Sequence, residues 1–177
     1  MTLHPWLAVA CATLGAACSS VPLPPTVDVP PSLAAGADAQ LLYVVPARGV
    51  QIYECRAGVD GAVAWTFVAP EATLFDTRGA PFGTHGVGPF WQARDGSRIT
   101  GKVAARADAP VKGAIPWLLL EAHADGTRGT LAPITRIQRL NTVGGAAPVG
   151  GCTASTLGNT VRVAYAADYY LFATRAR

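Results

Sequence analysis

Beyond Gln40 the apolar residues recur at every second position or gather in short blocks, and no stretch sustains the i, i+3, i+4, i+7 spacing of an amphipathic helix. A period of two sends successive side chains to opposite faces of an extended strand, which confines the chain to β-structure. LLYVV (residues 41–45) breaks at Pro46, Ala47-Arg48-Gly49 reads as a turn, and VQIYEC (50–55) follows it. Asp60-Gly61 tolerates the positive φ of a tight hairpin and leads into VAWTFV (63–68). Asp95-Gly96 repeats that signal ahead of residues 97–105, where Ile99, Gly101, Val103 and Ala105 share one face. IPWLLLEAHA (115–124), ITRIQRLNTV (134–143) and VRVAYAADYYLFA (161–173) complete the set. The last run places Val161, Val163, Tyr165, Ala167, Tyr169 and Leu171 together. These runs predict an all-β fold: a single antiparallel β-sandwich or closed barrel-like sheet of about seven or eight strands, of which the sandwich is the simpler expectation.

The chain has 177 residues, half of them hydrophobic and 14% charged, which suits one compact domain with a real core. Three regions are expected: a signal peptide (1–17), a lipidated cysteine with a Pro-rich linker (18–39), and the β domain (40–174). Trp6 to Ala17 is apolar, uncharged and rich in small residues, as the centre of an export signal is, and falls short of the roughly 20 apolar residues a bilayer span needs. Leu14-Gly15-Ala16-Ala17-Cys18 resembles a bacterial lipobox, which makes Cys18 the candidate lipidation site; the alternative is an ordinary cleaved signal with an incidental cysteine. Residues 19–39 hold five prolines and two charges, so an extended spacer is expected there.

After loss of Cys11 with the leader and acylation of Cys18, the exported chain keeps Cys55 and Cys152. An even pair in an oxidising compartment predicts a disulfide between them. Net charge is +3, with the arginines scattered singly, so no electrostatic footprint for nucleic acid is present.

Few residues suggest chemistry. His85, among the small residues of Gly83-Thr84-His85-Gly86, is the candidate general acid or base, since an uncrowded imidazole titrates near neutral pH. The commoner role for such a loop histidine is a backbone hydrogen bond. No metal site is expected, because His85 and His123 are the only histidines of the exported domain and closed sites need about four ligands. Glu121 and His123 share a strand face, a pair that is usually only its wet end. On 134–143 neither face is purely apolar: Arg136, Gln138 and Leu140 oppose Thr135, Ile137, Arg139 and Asn141. Such a strand is either an edge or a polar pocket wall, and the edge is the simpler reading. Asp168 on an apolar strand calls for a partner such as an arginine. No G-x-S-x-G elbow, phosphate loop, H-E-x-x-H or dinucleotide fingerprint occurs, and no cofactor is expected.

QIYEC, W-x-F-x-x-PEA-x-L, GTHGVGPFW, DGS, IPWLLL, IQRLNTVGG, the GC pair and Y-x-A-x-YY occur in that order. The set resembles a family of exported domains of unknown function found in bacteria and in secreted fungal proteins (DUF3455-like), over residues 41–172. The resemblance implies that Cys55, His85, Gly88, Pro89, Trp91, Asp95, Gly96 and Cys152 hold signature positions, and it supplies no catalytic residues. The combined expectation is an envelope lipoprotein, outer-membrane and facing the periplasm or the exterior. Its partners would be the membrane, through the anchor, and a small molecule or envelope protein bound without catalysis. Any pocket would be bordered by His85 and Trp91. The alternative is a hydrolase or isomerase using His85.

Overall fold

The computed structural model describes residues 27–126 and 128–175; the expected signal peptide and Cys18 lie outside the described residues. Eight antiparallel strands form one sheet: β1 (Ala39–Ala57), β2 (Val63–Phe75), β3 (Pro81–Gly86), β4 (Phe90–Ala93), β5 (Arg98–Ala107), β6 (Trp117–Ala124), β7 (Ile134–Gly144) and β8 (Thr160–Thr174). Each strand pairs with its sequence neighbour, and β1 also pairs with β8 from Ala39↔Thr174 to Glu54↔Thr160. The expected all-β antiparallel fold is therefore present, and of its two forms the strands take the closed one, an eight-stranded barrel. Closure is reached because the 19-residue β1 is long enough to serve β8 along its whole length and β2 along its second half. Among the described residues no helix is long and apolar enough to cross a membrane.

Two proline and glycine signals that read as breaks lie inside strands. Val45, Ala47, Gln51, Tyr53 and Cys55 are all buried, so the alternation runs unbroken through Pro46 and Gly49. Pro46 faces Asp168 on β8, while pairing to β2 starts only at Ala47, so one side of Pro46 has no ladder bond to lose. At Gly49 the two backbones approach so closely that a Cβ would meet the Glu71 carbonyl and the Ala72 Cα at 2.1 and 2.5 Å.

The glycine-rich stretch before Asp95, expected as a loop, forms β3 and β4. Glycine is required rather than loosening here: a Cβ on Gly83 would lie 2.0 Å from the Gln92 carbonyl oxygen across the hairpin. The Asp95-Gly96 turn forms as expected, with Ala93 N–H donating to Ser97 O at 2.9 Å. Asp95 then does more than turn the chain. Its two oxygens accept from Ser97 N and Oγ and from Thr130 N and Oγ, at 2.6–3.0 Å, which ties this hairpin to the connection before β7. Those four donors hold its carboxyl far below the usual carboxylate range.

The inward faces of β6 and β8 supply the largest shares of the main core, which includes Val45, Ile99, Leu118, Leu120, Tyr169 and Leu171. The single-face reading of residues 97–105 fails at its end, because the register shifts between Val103 and Ala105 and turns Ala105 outward. A second cluster lies on the outside of the barrel, where Leu33 packs with Trp117, Leu140 and Tyr170. Leu33 sits in a 3-10 turn (Pro31–Leu33), is fully buried, and its carbonyl accepts from Gln138 Nε2 at 2.7 Å. The described part of the expected spacer is thus a strap on the sheet, and full burial of one leucine is worth about 1.5–3 kcal/mol. This strap also explains why the outer faces of β6 and β7 are not purely polar. β7 is no edge, since β6 and β8 flank it.

Candidate functional site

His85 and Trp91 face each other across the β3–β4 hairpin. Their rings stack at 4.3 Å with 21° between planes, and Tyr169 meets both edge-on at 5.1 and 5.3 Å. Gly101 on β5 makes the room for this, since a Cβ there would press on the indole at 2.8 Å. The imidazole is not uncrowded, as the sequence suggested, but 4% exposed. Its Nδ1 lies 2.6 Å from the Phe90 carbonyl, which can only accept, so Nδ1 carries the proton and Nε2 keeps its lone pair. Burial pushes the imidazole pKa down to about 4, against the raising effect of the Phe90 carbonyl, and Arg139 lowers it further. At neutral pH the ring is uncharged.

His85 and Trp91 both line a cavity of about 560 Å³ inside the barrel. The short β3 and β4 leave its mouth between Phe67, Val68 and Pro70 of β2 and Val103 and Arg106 of β5. Phe67, Val68 and Val103 are exposed apolar side chains at this rim. Deeper walls come from Leu118, Leu120, Ile115 and Tyr169.

The polar residues of the cavity are unusual in kind. Among the described residues its lining holds two arginines, Arg106 and Arg139, and no aspartate or glutamate. Arg139 projects from β7 and donates Nε–H and Nη2–H to the Pro116 carbonyl at 3.1 and 2.8 Å. Among the described residues no carboxylate pairs with it. Its charge opposes the upward push of burial on the hydroxyls of Tyr53, Tyr165 and Tyr169. Gln51, 2% exposed, also lines the cavity, and its Nε2 has no hydrogen-bond partner among the described residues; the same holds for Trp91 Nε1.

Other expected features resolve more plainly. Cys55 and Cys152 are disulfide-bonded. Glu121 and His123 are exposed on the outer face of β6, away from the cavity. Asp168 finds an amide rather than an arginine, accepting from Asn141 Nδ2 at 2.9 Å. Among the described residues no three His, Cys, Asp or Glu side chains gather as a metal site would require. Arg139 and Gln51 were missed as site residues. Arg139 had a signal, a cation on the same face of a strand as a core isoleucine; Gln51 had a weaker one, as the lone amide in the apolar run VQIYEC.

The family described as "Protein of unknown function (DUF3455)" matches residues 35–173, nearly all of the described barrel and part of the strap. The chain belongs to this family. DUF3455 membership covers His85, Trp91, Arg139 and Gln51, and it assigns no activity to them. No curated protein and no solved structure matches the chain.

Proposed function

We propose that this DUF3455 chain is an exported, lipid-anchored envelope protein whose barrel binds a small ligand without converting it. The observation that carries the reading is the cavity of about 560 Å³, mostly apolar and with a few convergent polar groups. An eight-stranded barrel is just wide enough to be filled by side chains or to hold one small ligand, and this volume falls in the range of roughly 300–1,000 Å³ typical of ligand sites. The Cys55–Cys152 bond suits an oxidising compartment, and the lipobox-like run before Cys18 suits an anchor.

Catalysis by His85 has less support. The ring is fixed by the Phe90 carbonyl and by two aromatic neighbours, no carboxylate lines the cavity, and its low pKa makes it a weak base near neutral pH.

Native mass spectrometry of the full chain, purified from the envelope fraction of its own host, tests this. The expected spectrum shows acylated Cys18 as the mature N-terminus and a non-covalent adduct of small-molecule mass that leaves on denaturation. A Val68→Trp substitution at the rim should abolish the adduct. A bare chain, or an adduct that survives blocking of the mouth, would overturn the binding reading.

A further inference from the structure

The chemistry of the cavity is one-sided. Arg139 lies at its wall with no carboxylate partner among the described residues, and Arg106 adds a second positive charge at the mouth. Among the described residues no lining residue is acidic. A guanidinium carries five N–H donors. The Pro116 carbonyl takes Nε–H and one Nη2–H, and the Tyr169 hydroxyl also accepts from Arg139, so the guanidinium meets neutral acceptors and no anionic one among the described residues. Gln51 Nε2 is a buried donor without a partner among the described residues. A half-buried cation and orphaned donors in an apolar cavity are costly unless an acceptor-rich, negatively charged group meets them. The planar end of a guanidinium matches a carboxylate, two oxygens to two N–H groups.

The remainder of the wall fixes the other half of the ligand. Leu118, Leu120 and the Trp91 indole line the interior, and Phe67, Val68 and Val103 continue the apolar surface outward to the rim. A ligand satisfying both halves has one anionic end and an apolar body.

We propose that the cavity takes an apolar monocarboxylate, its carboxylate on the Arg139 guanidinium beside the Tyr169 hydroxyl and its hydrocarbon part along the aromatic and aliphatic wall. This rests on the binding reading above and adds the chemical class. Arg106 at the mouth attracts the same charge during entry, and the absence of acidic lining rejects amphiphilic amines.

Calorimetric titration of the full chain at pH 7 with octanoate, octan-1-ol and octylamine tests it, because the three share one apolar body and differ in the head. Octanoate is expected to bind at least about tenfold more tightly than octanol, the scale of a charge-assisted hydrogen bond, and octylamine not at all. In Arg139→Gln, checked for a cooperative melt, the preference for octanoate over octanol should fall to near unity while octanol still binds. Octanol or octylamine equal to octanoate in the wild-type chain overturns the carboxylate inference and leaves the binding reading standing. Failure of all three to bind overturns the carboxylate inference directly, while the mass of the native adduct decides the binding reading separately. A preference that survives Arg139→Gln overturns the role given to Arg139; should that variant fail to fold, the wild-type ratio alone decides the ligand class.

Discussion

His85 illustrates how far a neighbourhood can change what a side chain does. Its sequence surroundings are small and glycine-rich, which suggests an open, titratable ring. The small residues serve instead to let backbones close around it: Gly83 against β4, Gly86 against the Phe90 ring, Gly101 beneath Trp91. The result is a neutral imidazole with a pKa pushed from its ordinary value near 6.5 down to about 4. Because the folded form holds a proton less readily than the unfolded chain, the unfolded chain takes up protons first as the pH falls. The His85 contribution to stability is thus complete above about pH 6.5 and is lost progressively toward pH 4. With about 1.4 kcal/mol per unit of pKa, the loss between pH 7 and 4.5 is about 2–3 kcal/mol. Urea unfolding at those two pH values should show it, and His85→Leu should lack that share of the acid sensitivity. Equal acid sensitivity in the two proteins would mean the ring is accessible and already protonated in the fold.

At the scale of elements, the two-residue rhythm made the strands legible, and the places where it misled share one cause. Tyr165, Ala167, Tyr169 and Leu171 were legible as one buried face because β8 is regular along that run and flanked on both sides. Pro46, Gly49 and the Gly83–Gly86 stretch misled because breaking residues are read locally, whereas their tolerance depends on the neighbouring strand. Proline is harmless where a partner is missing, and glycine is demanded where a partner is too close. Arg139 was hidden for a related reason. A cation on a strand reads as solvent-facing, and its sharing a face with Ile137 was a local sign to the contrary that only the closed ring makes decisive.

Gly83 and Gly96 stand under opposite constraints. Gly83→Ala puts a methyl against the Gln92 carbonyl oxygen, a backbone atom that cannot rotate away, so β3 and β4 must separate. The expected cost is about 3 kcal/mol or more, at the upper end of overpacking effects. Gly96→Ala meets nothing within 4 Å and suffers only from its positive φ of 86°, worth about 1–2 kcal/mol. Urea midpoints of the two variants should fall in that order; the reverse order would show that the hairpin yields easily and that glycine is present there for freedom.

The whole molecule depends on joining its two most distant strands. A ring has no exposed edges, which removes the templates for edge-to-edge association, yet its last seam must be closed over nearly the full length of the chain. Here that seam is β1 with β8, and the Cys55–Cys152 bond sits at one end of it, linking residues 97 apart in sequence. Two backbone bonds, Cys55 N–H to Asn159 O and Gly158 N–H to Cys55 O, both 2.9 Å, continue the seam past Glu54↔Thr160 beside the bridge. A cross-link of this span acts chiefly on the unfolded chain by removing loop-closure entropy, up to about 4.7 kcal/mol for about 100 residues, with measured effects more often about 2–4 kcal/mol. The barrel's own pairing should still form without it, because the seam runs on through Tyr43, Val45 and Ala47, far from the cysteines. The double variant Cys55→Ser/Cys152→Ser is therefore expected to fold to the same barrel, with unchanged far-ultraviolet circular dichroism, but to lose about 2–4 kcal/mol in urea unfolding. Wild-type protein reduced before unfolding should match it. A double variant as stable as the oxidised chain would mean that strand pairing alone closes the ring, and a variant without sheet signal would mean that the sulfur bridge has to form before the seam can.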